Sequence, residues 1–306
     1  MVTKSTGKQY HVLSGHSLVT CVLRGKIRLQ GIKATNPVAV GDKVEFQMID
    51  DIMGQIIKVL PRKNHLLRQS TNLSKRTHVL AANIDQAILM ATLNTPLTTR
   101  VFIDRFLVSA ESFRIPVILI FNKTDLYNQE EIDELFELEH TYAKVVKEFH
   151  AISAIHASAQ ELANSILKDK TSVIAGHSGS GKTSFINLAD PDLKLKTGEI
   201  STYHQSGKHT TSYAEMHHIK SGGYIIDTPG IRAFGINHIE KKELYHYFPE
   251  IFERAKECKF YNCLHINEPG CAVVEAVENG DMAPSRYFSY LNLYEDKGTK
   301  HREVDY

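Results

Sequence analysis

The chain has 306 residues, 42% of them apolar and 23% charged, with a formal net charge of +1. This is the balance of a soluble globular protein long enough for two or three domains, and it excludes a uniformly basic or acidic chain. The N-terminal stretch MVTKSTGKQYHVLSG lacks the apolar centre of a signal peptide, and the apolar run Ile115–Phe121 is too short to span a bilayer, so a cytoplasmic monomer is expected.

Residues 9–60 read as short extended segments, YHVL, SLVTCVL, KIRLQG, KVEFQMI and GQIIKVL, punctuated by Gly15, Gly25, Gly31, Gly41-Asp42 and Gly54. Five or so strands in that span predict a small β-barrel, and the OB-fold is the commonest barrel of this size. The next stretch, Lys58 to Arg76, carries Lys58, Arg62, Lys63, Arg68, Lys75 and Arg76 without any acidic residue. Contact with the phosphate backbone of RNA is expected there.

From about residue 77 strand and helix alternate. AILMATL (87–93) and PVILIF (116–121) are continuous apolar runs, as in strands buried on both faces, and IDRFLVSAESF between them is an amphipathic helix. Further strands are predicted at SVIAG (172–176) and GYIIDT (223–228), which makes a mainly parallel α/β sheet. Beyond about residue 240 the pattern is helical, with one helix ending at Gly280 and another opened by Pro284.

Gly176 to Ser184, GHSGSGKTS, fits G-x-x-x-x-G-K-[ST] after a strand and before a helix. In such a loop the backbone N–H groups of Gly176, His177, Ser178, Gly179, Ser180 and Gly181 and the helix N-terminus through Ser184 cradle phosphates. Lys182 sets its ammonium against the β- and γ-phosphates, and Thr183 offers its hydroxyl to Mg²⁺. Downstream, Asp227-Thr228-Pro229-Gly230 ends a strand. Asp227 is expected to hold Mg²⁺, directly or through water, and the Gly230 N–H to meet the γ-phosphate.

Phosphate loops bind ATP as readily as GTP, so the base has to be read elsewhere. Asn122-Lys123-Thr124-Asp125 fits N-K-x-D. The Asp125 carboxylate can accept from both N1–H and the exocyclic amino group of guanine, a donor pair that adenine lacks. Sites built on such bonds discriminate by roughly 10⁴–10⁵. The Lys123 stem suits the purine face, and Asn122 can tie this loop to the phosphate loop. Ser153-Ala154 marks a further loop whose Ala N–H contacts guanine O6.

Cys258, Cys263, His265 and Cys271 have the spacing C-x₄-C-x-H-x₅-C. Three thiolates and one imidazole form a closed tetrahedral set, which suits one structural Zn²⁺. Such a site supplies about 10–16 kcal/mol of apparent binding free energy towards local folding. Cys21 has no partner in the pattern and reads as a buried strand residue.

In ordinary GTPases the phosphate loop comes first and the guanine motif later; here NKTD (122) and SA (153) precede the phosphate loop (176) and DTPG (227). All these motifs end parallel strands, so a circular permutation leaves them on one sheet edge. With RGKIRLQG, PVAVGD, GKHTTS (207–212), DTPGIRAFG and the Cys/His cluster, the chain resembles the bacterial small-ribosomal-subunit biogenesis GTPases of the RsgA (YjeQ) type over nearly its whole length. The resemblance implies an OB-fold RNA-binding domain (1–72), a circularly permuted P-loop GTPase domain (73–238) and a mainly helical zinc-binding domain (239–306). It implies action in late maturation of the 30S subunit, with GTP hydrolysis stimulated by that subunit and with 16S rRNA bound.

The position after DxxG that holds a water-orienting glutamine in Ras-like proteins is Ile231, so intrinsic hydrolysis is expected to be slow. In the family a switch histidine substitutes; here it is His209, beside Thr210 and Thr211, which are expected to sense Mg²⁺ and the γ-phosphate. Two other readings are open to the residues alone: an ATP-dependent P-loop enzyme, and a non-catalytic RNA-binding protein regulated by nucleotide.

Overall fold

Five short strands begin the chain: β1 (Val2–Ser5), β2 (Tyr10–Ser14), β3 (Ser17–Leu23), β4 (Val44–Met48) and β5 (Met53–Val59). They lie in the order β1-β2-β3-β5-β4, antiparallel except for the parallel β3–β5 pair, which is the arrangement of a small OB-type barrel. Alternation places Tyr10 and Val12 inside with Val2, Cys21, Val38 and Ile56. Cys21 is a fully buried strand residue, as expected. The computed structural model describes residues 1–25, 37–69, 77–195, 214–227, 236 and 238–296; the predicted strand KIRLQG and the cations Lys75 and Arg76 lie outside the described residues.

Three cations of the 58–76 stretch are engaged by acids from other parts of the chain. Lys58 pairs with Glu45 at 3.1 Å and Lys63 with Asp85 at 3.1 Å. The Arg62 side chain is only 6% exposed, its guanidinium forked onto both oxygens of Asp42 at 2.7 Å. A run with no acid in its own sequence is thus half neutralised by the fold, and Arg62 is a structural residue. Two short strands, β6 (His65–Gln69) and β7 (Thr77–Ala82), form a separate antiparallel ribbon that sequence periodicity had not marked.

The central sheet is built from β8 (Gln86–Ala91), β9 (Val117–Phe121), β10 (Glu148–Ala151), β11 (Thr171–Ala175), β12 (Glu215–His218) and β13 (Tyr224–Asp227). Their order is β10-β9-β8-β11-β13-β12; all are parallel except β12, whose far edge pairs with β1 and joins this sheet to the barrel. Every residue of β8 and β9 is buried, as their unbroken apolar runs predict. On one face Ile88, Ile118, Ile120, Ile174 and Ile225 pack against α3 (Ala159–Leu167) and α4 (Lys182–Ala189). Helix α2 (Gln129–Tyr142) follows the predicted base loop and starts with a capping box from Asn128 and Glu131.

The chain divides into two compact units, Met1–Thr98 with Phe113–Phe234, and Thr99–Ser112 with Gly235–Tyr306. The second contains α1 (Arg100–Glu111), the helix between β8 and β9, which the 73–238 span had included with the sheet. With it are α5 (Pro249–Ala255), α6 (Ala272–Glu278) and α7 (Pro284–Glu295). Buried Arg286 on α7 donates to Asp104 of α1 and, at 2.5 Å, to Glu250 of α5, with its guanidinium 4.8 Å from the Phe248 ring. An ion cluster with so little water contact orders the three helices, and losing one partner leaves a buried charge.

Gly41 is the tightest backbone approach in the first unit. Its φ is +90°, and a Cβ there would lie 2.0 Å from the Ala82 carbonyl oxygen. Its N–H donates to Val2 O at 2.8 Å and its carbonyl accepts from Asn83 Nδ2 at 3.0 Å. Gly41→Ala is expected to destabilise the unit by at least about 2 kcal/mol, read as a lowered denaturant midpoint with unchanged slope.

Candidate nucleotide site and metal centre

The phosphate loop leaves the buried end of β11 and turns into α4 through three glycines with positive φ, Gly176 (+140°), Gly179 (+83°) and Gly181 (+96°). Two of them are also spatial requirements. A Cβ on Gly176 would meet Met90 O at 2.3 Å, and one on Gly181 would meet Asn122 Nδ2 at 2.0 Å. Helix α4 begins at Lys182, so the N–H groups of its first turn face the loop, with Thr183 and Ser184 half-buried in that turn. Lys182 Nζ donates to the carbonyls of Gly176 (2.8 Å) and His177 (2.6 Å). Burial pushes its pKa down to about 8, opposed by the negative charge of Asp227 at the end of β13. Ser178 and Gly179 are exposed, whereas Ser180 is buried and its hydroxyl has no hydrogen-bond partner.

The base motif sits on the neighbouring strand ends. Asn122 follows β9 and is 2% exposed. Its Nδ2 donates to Ser180 O at 2.9 Å, and its Oδ1 accepts from the Ala154 N–H at 2.9 Å. One side chain therefore ties the phosphate loop to the loop after β10. The Ala154 N–H was expected to face guanine O6; here it is engaged by Asn122. Lys123 has a left-handed backbone (φ 68°), and its Nζ reaches the Thr95 carbonyl at 2.5 Å. Thr124 N–H donates to Ile152 O at 3.2 Å and opens a single 3₁₀ turn through Leu126. Asp125 is exposed, with one oxygen accepting from the Ser153 hydroxyl at 2.5 Å. A depression of about 400 Å³ borders Asp125 and Ser153 on the side of His156, Ala159 and Leu162; no phosphate-loop residue lines it.

Tyr127 was missed from the sequence. Its hydroxyl donates to Asn122 O at 2.7 Å and accepts from Leu93 N–H at 3.2 Å, so it braces the backbone beneath the base motif. Burial raises its pKa to about 12, which keeps it a donor. An aromatic two residues after Asp125 carries no sequence signal for this role. Of the predicted phosphate-sensing residues, Asp227 is placed, at the carboxyl end of a central strand. His209, Thr210, Thr211 and Gly230 lie outside the described residues.

In the second unit Cys258, Cys263, His265 and Cys271 converge, their donor atoms all within 4.8 Å of one another. His265 Nδ1 is 3.5 Å from Cys258 Sγ and 3.6 Å from Cys271 Sγ, and those two sulfurs are 4.0 Å apart. Four donors at about 2.1–2.3 Å from a central cation have such edges, so the residues fit a metal ion. Burial drives the Cys263 thiol up to about 12, so cation binding is what would displace its proton. Glu268, also missed from the sequence, holds the loop in place by accepting from the N–H groups of Leu264 (2.8 Å), Ile266 (2.9 Å) and Asn267 (3.1 Å). Burial alone would raise its pKa; these backbone donors win and bring it to about 2. No helix of the described residues is long and apolar enough to cross a membrane.

The site's arrangement has close relatives. Residues 59–237 match the family model of the RsgA GTPase and residues 1–56 that of the RsgA N-terminal domain. The chain is 47% identical over 298 residues to the small ribosomal subunit biogenesis GTPase RsgA 2 of Bacteroides thetaiotaomicron, covering 97% of this chain and 96% of that one. It is 46% identical over 309 residues to the corresponding RsgA protein of Christiangramia forsetii, covering 100% and 98%. Among solved structures it is similar to YjeQ from Thermotoga maritima (TM-score 0.77, 36% identity, 96% of each chain). It is also similar to YloQ, described as a circularly permuted GTPase (TM-score 0.70, 29% identity, 96% of this chain and 92% of that one). The reversed order of base and phosphate motifs on one sheet edge, and the match over both the barrel and the sheet, have one explanation: the chain belongs to the RsgA family of circularly permuted GTPases.

Proposed function

We propose that this protein hydrolyses GTP to GDP and phosphate when stimulated by the small (30S) ribosomal subunit, in late maturation of that subunit. The observation that carries the reading is the Asn122 side chain, which joins the phosphate loop to the loop after β10 while the adjacent Asp125 is oriented by Ser153. Relatives named for small-subunit biogenesis, aligned from end to end, support the ribosomal assignment. The protein acts in the cytoplasm as a monomer. Its working segments are an RNA-binding barrel (1–72), the GTPase segment (73–238) and a zinc-binding segment (239–306), with the barrel and zinc segment docking 16S rRNA.

The phosphates lie on the N–H groups of Gly176–Gly181 and the first turn of α4. Lys182 exchanges its two carbonyl partners for phosphate oxygens, and that negative charge raises its pKa again. Thr183 and Asp227 would hold Mg²⁺, which supplies charge neutralisation at the β- and γ-oxygens. Thr210, Thr211 and the Gly230 N–H sense the γ-phosphate, and His209 orients the attacking water, because Ile231 offers no hydrogen bond. Cys258, Cys263, His265 and Cys271 would hold one zinc ion, and a set of three thiolates and one imidazole suits a structural role.

Three outcomes are expected. Asp125→Asn replaces an acceptor by a donor, so GTP affinity falls by about 100-fold or more while xanthosine triphosphate, with oxygen at C2, binds better than GTP. Equal affinity for ATP and GTP in the unmodified protein would instead favour an ATP-dependent enzyme. Phosphate release rises with added 30S subunits and is lost in His209→Ala; the absence of any rise sinks the ribosome-activated mechanism. Elemental analysis finds one zinc per chain, which Cys263→Ser abolishes, and Glu268→Gln weakens retention against a chelator by about 10- to 100-fold.

A further inference from the structure

The hairpin tip between β4 and β5 carries apolar side chains that the barrel leaves in solvent. Met48 is 50% exposed, Ile49 55% and Ile52 81%, and Leu18 on β3 is 59% exposed. The parallel β3–β5 pairing sets Thr20 opposite Met53, so Leu18, two residues before Thr20, lies at the same end of the barrel as Ile52. The tip's backbone is held in shape. Ile49 N–H donates to Met53 O at 2.8 Å, and the Asp50 carboxylate accepts from the N–H groups of Ile52 (2.8 Å) and Met53 (2.7 Å). Single exposed apolar residues are ordinary; four at one end of a small domain, on a preformed turn, mark an interaction surface.

The charges around the tip decide what kind of partner fits. From Val44 to Ile57 the only charged residues are Glu45, Asp50 and Asp51, and residues 9–23, which include β2 and β3, contain no lysine or arginine. The flanking cations Lys43 and Lys58 lie at the opposite end of the β4–β5 pair, where Val44 faces Val59, and Lys58 is paired with Glu45. Among the described residues of the tip a nucleic-acid backbone would find two carboxylates and no lysine or arginine. Stacking platforms for bases also need aromatic side chains, and the tip residues 48–53 include none. This is the loop with which many OB barrels read oligonucleotides, and in this chain its chemistry is unsuited to that use.

We propose that the β4–β5 tip docks onto a protein of the small ribosomal subunit, seating Ile49 and Ile52 in an apolar depression with a lysine or arginine facing Asp51. The proposal rests on the ribosome-associated reading above and adds that the barrel meets the subunit through protein at this end. It is tested with the full-length chain carrying Ile52→p-benzoylphenylalanine, bound to 30S subunits with a non-hydrolysable GTP analogue and irradiated. A crosslink to a ribosomal protein is expected. In parallel, Ile49→Ser with Ile52→Ser should weaken subunit binding by about tenfold or more. It should leave intrinsic GTP hydrolysis and the salt dependence of subunit binding unchanged, because no phosphate contact is lost. Crosslinks to rRNA alone, no crosslink from a chain that still cosediments, or undiminished affinity of the double variant each overturn the proposal. If the unmodified chain fails to cosediment with 30S subunits at all, the ribosomal reading falls and the proposal with it.

Discussion

The nucleotide site depends on the carboxamide of Asn122. Its amide nitrogen holds the Ser180 carbonyl and its oxygen holds the Ala154 N–H, so two loops from different crossovers are fixed against the end of β9. An aspartate would keep only the bond from Ala154 and a leucine neither, because the pair needs a donor and an acceptor on the same planar group. Gly181 is glycine for the same reason, since a side chain there would occupy the position of the Asn122 amide. Tyr127 supports the arrangement from below by holding the Asn122 carbonyl. The order of motifs along the chain is immaterial to all of this: the clamp needs only that β9, β10 and β11 end on the same side, which their parallel pairing ensures.

A second constraint acts on the metal centre. Four donors are brought together by a loop whose own polar atoms would otherwise be unsatisfied, and Glu268 resolves this by receiving three backbone N–H groups at once. His265 adopts φ 59°, a left-handed conformation uncommon for a side-chain-bearing residue, and directs Nδ1 at Cys258 and Cys271. Its ring meets Tyr245 edge-on at 4.9 Å, and its carbonyl accepts from the Tyr287 hydroxyl at 2.8 Å. The ligand is thus positioned by packing from two sides. Thiols made less acidic by burial would become good ligands only when a cation pays the cost of deprotonation.

What the sequence made legible follows the locality of each signal. The phosphate loop, the NKTD segment and the Cys/His spacing are patterns within a few residues, and each is placed as a unit at a strand end or in one knot. Unbroken apolar runs located β8 and β9 because those strands are buried on both sides. Residues that act by bracing backbone rather than through a motif were illegible. Glu268 and Tyr127 have no motif, and the hydrogen bonds that define them form only on folding. The pairing of the cations of residues 58–63 was equally illegible, because their counter-charges Glu45, Asp42 and Asp85 lie outside the run. Strand β12 and the β6–β7 ribbon are short, and their pairing partners supply what their sequences lack.

The second compact unit is more than a tail that follows the GTPase motifs. It draws on α1 from the middle of the sheet segment, and α1 is bound into it by Asp104 to Arg286 and by Arg105 to Asp296 at 2.5 Å. The chain therefore passes between the units at three points, after Thr98, after Ser112 and after Phe234. The first of these follows the segment whose Thr95 carbonyl receives the Lys123 ammonium, and the last follows Asp227 by seven residues. The segments that carry Thr95 and Asp227 thus lead in sequence into the unit that holds the Cys/His cluster. In a GTPase with its motifs in the usual order, the chain after DxxG returns to the sheet to build the base site. Permutation frees that segment to run directly into a separate unit.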